Sequence, residues 1–207
     1  MVRNFCKGCG FPAGQLPPCA AYEIAAMISL DDFLAGNCGK ETVYPVCPKK
    51  AQDISGGRLG ISESCDECSM CAVACPSSGA ASSELLKKDS SEILQNLNLT
   101  NIFLGLLLNT PVASEVKVRG NSRSRRIDIA ISHGGEVLLI KVLNSPSRMQ
   151  FYKRAYEETA AEYNRKLHDL NFRAAFLVPD KVYESLKDKT DGCFFTVKSI
   201  YEYFKGE

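Results

Sequence analysis

The chain reads as a two-domain α+β and α/β protein, a small cysteine-rich domain over residues 1–83 followed by an α/β domain over residues 84–207. Three observations predict this. Nine of the ten cysteines fall between Cys6 and Cys75, leaving only Cys193 beyond them. The run SSGAASS, Ser77–Ser83, follows the last of the nine, and its small polar residues suit a connector. Past it, apolar residues recur first with helical spacing and then in short β-branched runs, the pattern of alternating helices and strands.

Composition sets the outer limits. With 207 residues, 45% of them hydrophobic, and a net charge of +1, the chain can bury one good core or two modest ones. Six basic and eight acidic side chains lie up to Ser83 and nineteen and sixteen lie after it, so neither half carries an extreme charge. The longest apolar run, Ile102–Leu108, is too short to span a bilayer and reads as part of a buried helix. The sequence shows no signal peptide, which points to the cytoplasm and to reduced cysteines.

Within the first domain, Ala20–Gly36 has helical periodicity, with Asn37 as its stop. The stretch SGGRLG holds Gly56, Gly57 and Gly60 but lacks the Gly-Lys-Ser/Thr of a phosphate loop, so it reads as a turn. The chemistry is concentrated in CDECSMCAVACP, where Cys65, Cys68, Cys71 and Cys75 stand at C-x2-C-x2-C-x3-C and Pro76 follows. Four cysteines packed so tightly are awkward for tetrahedral zinc and poorly placed to form disulfides with one another. The run resembles the signature of bacterial-type ferredoxins carrying 4Fe–4S clusters.

That resemblance implies a ferredoxin-like domain with two 4Fe–4S clusters. In the ferredoxin pattern the cysteine before proline completes the cluster of the other half, and Cys47 also precedes a proline, Pro48. Cluster one would then use Cys47, Cys65, Cys68 and Cys71. Cluster two would use Cys6, Cys9 and Cys75 with either Cys19 or Cys38, one of which is spare. Here the sequence departs from the family, because long insertions replace the usual tight spacings. The alternative is one 4Fe–4S cluster with a zinc site, or an empty site, built on Cys6 and Cys9. Two clusters would compensate for a half that holds few large aliphatic residues.

The second domain opens with a helix through SELLKKDSSEILQNLNLTNIFLGLLL, Ser83–Leu108, broken near Asn98–Asn101 and ended by Asn109, Thr110 and Pro111. Three strands follow, VASEVKV, RIDIAIS and EVLLIKVL, with the tight turn HGGE between the second and third. A long helix covers about Ser147–Asn171. After it come the strand FRAAFLV, a shorter helix from Pro179, the strand CFFTV and a last helix ending near Phe204. This αβββαβ order, with the segment RIDIAISHGGEVLLIKVLN, resembles the restriction-endonuclease-like fold of the PD-(D/E)XK superfamily.

In that superfamily an Asp on one strand and a Glu-x-Lys on the next hold a divalent metal and activate water. Asp128 matches the first acid, but Lys141 occupies the place of the second and Leu143 the place of the catalytic lysine. Alternation along a strand turns Lys141 and Leu143 the same way. The expectation is therefore a degenerate site: an Asp128–Lys141 ion pair, no catalytic metal and no nuclease activity. A rearranged active site would have to draw on Glu115 or on Glu157, Glu158 and Glu162, which read more simply as a solvated face.

Lys117, Arg119, Arg123, Arg125 and Arg126 fall within VKVRGNSRSRR, with no acid among them. A loop carrying them beside a sheet edge could neutralise phosphates, and this, with the superfamily resemblance, points to nucleic acid or a nucleoprotein partner. A solvated turn, or docking to an acidic protein, is the competing account. His133 and His168 read as solvent-facing or capping groups, Tyr152, Tyr156 and Tyr163 as a stripe packed on the sheet, and Cys193 as core. Three functions follow in order: an iron–sulfur protein whose pseudo-nuclease domain binds DNA or RNA; ferredoxin-type electron transfer with the second domain as a docking platform for a redox partner; and a metal-dependent nuclease with a rearranged site.

Overall fold

The computed structural model describes residues 21–36, 42–45, 47, 50–55, 58–64, 91–108, 110–119, 124–186 and 193–206. The chain divides into two compact units. One is formed by Met1–Glu23 with Val43–Lys88 and the other by Ile24–Thr42 with Asp89–Glu207. The second unit thus takes a segment from inside the cysteine-rich part of the sequence, where composition alone divides the chain at residue 83.

That segment corrects the reading of Ala20–Gly36 as a helix. Ala21–Ala26 forms strand β1, and only Leu30–Leu34 is helical, as α1. The alanines of AAYEIAA favour a helix in isolation, yet a neighbouring strand overrides that preference. Ala25 and Ala26 pair in parallel with Ala113 and Ser114, and the Lys117 amide donates to the Ile28 carbonyl at 2.7 Å. Ser29 caps α1 by accepting from the Asp32 amide, and Gly36 adopts φ 71° just past the helix end, before Asn37 is reached. Ile28, Leu30 and Phe33 go into the core.

Thr42–Pro45 forms β2. In the first unit Gln52–Ser55 (β3) and Arg58–Ile61 (β4) pair antiparallel with Ser55 opposite Arg58, so Gly60 lies in a strand, while Gly56 and Gly57, expected in a turn, lie outside the described residues.

The second unit continues with Ser91–Leu94 (α2) and Leu97–Leu108 (α3). The helical stretch breaks at Gln95 and Asn96, ahead of the expected Asn98–Asn101. The Asn96 side chain accepts from the Asn98 amide at 3.0 Å, and the Thr100 hydroxyl donates back to the Ile93 and Asn96 carbonyls, so Asn96 is the N-terminal cap of α3. The rest of the predicted order is present: Val112–Arg119 (β5), Ser124–His133 (β6), Glu136–Val142 (β7), Met149–Lys166 (α4), Asn171–Leu177 (β8), Asp180–Leu186 (α5), Phe194–Phe195 (β9) and Val197–Lys205 (α6).

Strands β5, β6 and β7 form an antiparallel meander, β8 and β9 add in parallel beyond β7, and β1 lies in parallel beside β5. The result is a mixed sheet with helices. Gly134 and Gly135 make the β6–β7 turn with φ 57° and 84°, a region glycine enters without steric cost. Val137–Ile140 is buried at every residue, so both faces of the sheet centre are covered. Helix α4 covers the face of Ala130 and Leu139 with Tyr156, Ala160 and Tyr163.

Helix α4 is shorter than the expected Ser147–Asn171 because Asn171 already belongs to β8. The Asn164 side chain brackets Phe172, accepting from its amide at 2.7 Å and donating to its carbonyl at 2.8 Å. β9 is likewise shorter than CFFTV, since Thr196 forms a capping box with Ser199 that starts α6. No described helix is long and apolar enough to cross a membrane.

Candidate functional site

The β6–β7 register runs from His133↔Glu136 to Ile129↔Ile140, so its next step sets Asp128 opposite Lys141. Residues opposed in an antiparallel pair share a face and meet. The Lys141 ammonium donates to Asp128 Oδ2 at 2.6 Å, with the two side chains 18% and 11% exposed. The same oxygen accepts from the Val142 amide at 3.1 Å. The ion pair expected from the sequence is therefore present.

Helix α4 closes over it with two tyrosines. Lys141 Nζ sits 4.6 Å from the centre of the Tyr152 ring, a cation–π contact. Tyr156 Oη accepts from the Asp128 amide at 3.1 Å. Burial, reinforced by the nearby Asp128 charge, pushes the Tyr156 hydroxyl far above its ordinary range and keeps it protonated. Packing is the main role of the tyrosine stripe, as its helical spacing suggests, but these two contacts with the pair were not legible in that spacing.

Leu143 stands where the superfamily resemblance would place a lysine. It is buried against Phe176, Val178, Leu186 and Phe194, with Cys193 partly buried at the margin of the same cluster. The arrangement does not fit a divalent metal, because the charge of the Asp128 carboxylate is already countered by Lys141 and no acid stands at position 141 to share the ion.

The other acids are engaged elsewhere. Glu115 pairs with Arg126 at 2.9 Å, Glu157 lies 3.8 Å from Lys153, and Glu162 bonds Lys166 at 2.7 Å. Glu158 bonds Arg125 and Arg154, whose hydrogen bonds, Arg125 first, hold its carboxyl below the usual range. Among the described residues no three His, Cys, Asp or Glu side chains group to hold a metal ion.

The basic cluster separates into different roles. Arg125 is tied to α4, donating to the Ala155 carbonyl at 2.7 Å, to the Thr159 hydroxyl at 3.3 Å and to Glu158. Arg126 is spent on Glu115. Lys117 and Arg119 are exposed on β5, and among the described residues neither has an ion-pair partner. Arg123 lies outside the described residues.

So do Cys6, Cys9, Cys19, Cys38, Cys65, Cys68, Cys71 and Cys75. Cys47 is described: it is half-buried, and its Sγ accepts from the Ala51 amide at 3.2 Å, a contact a thiolate ligand favours. His133 is exposed and meets Phe204 edge-on at 5.3 Å, and His168 is exposed. No protein-family model matches this chain, and no curated protein matches it.

Proposed function

We propose that this chain is an iron–sulfur protein whose sheet unit binds nucleic acid, alone or within a nucleoprotein partner, without cutting it. One observation carries the reading: Asp128, aligned with the metal-binding acid of the nuclease superfamily, is held by Lys141 at 2.6 Å under two tyrosines. A site so neutralised can position a strand but has no means of activating water. The αβββαβ order around it supports the restriction-endonuclease-like resemblance, and exposed Lys117 and Arg119 on β5 supply charge for phosphates.

The metal centres rest on the cysteine spacing. Cys47, Cys65, Cys68 and Cys71 would hold one 4Fe–4S cluster, and Cys6, Cys9 and Cys75 with Cys19 or Cys38 a second. The amide bond to the Cys47 sulfur supports its place in the set. Bound clusters would supply electron storage or rigid cross-links between distant segments.

Iron and acid-labile sulfide per chain, determined on anaerobically purified protein, test the cofactor. The same sample is then titrated with DNA and RNA across salt concentrations and assayed for cleavage with magnesium and manganese. About eight irons, salt-dependent binding and no cleavage are expected. Eight irons without binding would replace this reading with electron transfer, and cleavage abolished by Asp128→Ala would replace it with an active nuclease. About four irons with one zinc would reassign Cys6 and Cys9.

A further inference from the structure

The β5–β6 pair presents charge on one face towards its Arg119 and Ser124 end. Lys117 stands directly opposite Arg126 in the register, and Arg119 stands opposite Ser124. Opposed residues, and alternate residues of one strand, share a face, which brings Lys117, Arg119 and Arg126 together, and all three are exposed. Their strand neighbours Val116, Val118 and Ile127 are buried in the core cluster of Phe33 and Tyr156. Like charges set directly across a ladder work against it, so the pairing of Lys117 with Arg126 calls for an anion.

Glu115 supplies one such anion from within the sheet. It precedes Lys117 by two positions on β5, its backbone is left-handed at φ 54°, and its carboxylate lies 2.9 Å from the Arg126 guanidinium. The Glu115 side chain is 23% exposed and that of Arg126 63%, so the acid is seated in the strand and the base folds back onto it. A non-glycine residue is held in that conformation at a cost, and positions of this kind gather at functional contacts. Glu115 answers only one of the three cations. Among the described residues Lys117 and Arg119 have no ion-pair partner, and none of the exposed large hydrophobic side chains lies on β5 or β6. A protein interface is built around an apolar or aromatic centre, which this strip lacks. The phosphate backbone of a nucleic acid asks for charge alone.

From this geometry we infer that Glu115 restrains the nucleic-acid surface of the second unit: it occupies Arg126, so that phosphates are held by Lys117 and Arg119 alone and affinity stays below what the three cations would give. The inference rests on the nucleic-acid reading above and adds to it the residue that limits binding. A carboxylate beside Arg126 both cancels the charge that would draw a phosphate and repels the phosphate itself. A grip limited in this way lets the protein leave one stretch of backbone for another.

The test uses the full chain and fluorescent oligonucleotides of mixed sequence, single-stranded and duplex, titrated across salt concentrations. Glu115→Gln should raise affinity severalfold and steepen the slope of log affinity against log salt by about one. Glu115→Gly should do the same, and because glycine suits φ 54° its urea midpoint should be no lower than that of the unaltered protein. Neither change should have an effect in an Arg126→Gln background, where the slope stays at the unaltered value. Glu202→Gln on α6, which follows β9 at the other edge of the sheet, removes one negative charge elsewhere and should leave the slope unmoved. An unchanged slope in both Glu115 variants of a protein that binds would overturn the inference and leave the proposed function standing. So would Arg126→Gln lowering the slope by as much as Glu115→Gln raises it, since the two charges would then act independently. Stronger competition by poly-glutamate than by unlabelled oligonucleotide would replace the nucleic acid with an acidic protein. No binding by the unaltered protein or by either Glu115 variant at low salt would overturn both readings together.

Discussion

Glu115 stands directly across from Asp128 in the β5–β6 register, between the pairs Ser114↔Ile129 and Val116↔Ile127, yet its backbone turns to φ 54° and its carboxylate goes to Arg126. A non-glycine residue in the left-handed region within a strand is uncommon and costs about 1 kcal/mol or more. With Lys141 opposite Asp128 on the other side, one row across three strands reads acid, acid, base, and each acid has its own cation.

Lys141→Glu would place a third carboxylate in that row. Removing one member of a buried pair costs about 3–5 kcal/mol, and like charges add to that. The variant should unfold at lower urea than the parent in metal-free buffer. Millimolar manganese should then raise its midpoint and leave the parent unmoved. An unchanged midpoint with no response to manganese would mean that the row does not carry the energetic weight assigned to it.

Alkaline pH should destabilise the second unit through its tyrosines. Burial, helped by the Asp31 charge, raises the Tyr163 hydroxyl to about 12, and Tyr156 is raised further. A group whose pKa is higher when folded contributes stability that is complete below its unfolded value, near 10, and is lost as pH rises. For Tyr163 the loss runs from about pH 10 to about 12. Urea midpoints at pH 8, 10 and 11 should fall across the upper interval and fall less in Tyr163→Phe. Equal slopes in the two proteins would remove Tyr163 from the account.

Salt dependence should separate the basic residues. Lys117→Gln and Arg119→Gln should each reduce the slope of log affinity against log salt by about one. Arg126→Gln should leave that slope nearly unchanged, because Arg126 already answers Glu115. Arg125→Gln should also spare the slope but lower stability by about 1–3 kcal/mol, since it strips partners from Ala155, Thr159 and Glu158. Equal effects from all four would restore the undivided patch that the sequence suggests.

A fragment starting at residue 84 should be a poor domain. It lacks β1 and α1, and so lacks Ile28, Leu30 and Phe33, which share a core cluster with Val116, Val118 and Ile127. The fragment should bind a hydrophobic dye and unfold at lower urea than the same unit within the whole chain. A fragment matching the full chain in both respects would show that the 24–42 segment adds nothing to the unit.

Where sequence and structure agree, local signals and sheet geometry point the same way. The HGG turn follows from its glycines, the runs of β5 to β7 from their β-branched and apolar residues, and the opposition of Asp128 to Lys141 from the sheet register. The disagreements arise where a distant partner decides. Ala21–Ala26 is extended because β5 lies beside it, some ninety residues along the chain, and nothing in AAYEIAA announces that edge. Arg125 leaves the basic cluster for an α4 carbonyl thirty residues away. The cysteine framework, the most explicit chemical signal in the sequence, falls outside the described residues apart from Cys47.

The borrowed strand also sets an order of events. At about 5–20 residues per second of synthesis, β1 leaves the ribosome several seconds before the β5 edge it must join. Until then β1 lacks the parallel pairing of Ala25 and Ala26 with Ala113 and Ser114. That edge of the sheet closes only once β5 exists. Completion of the second unit's sheet is thereby tied to synthesis of its carboxy-terminal part.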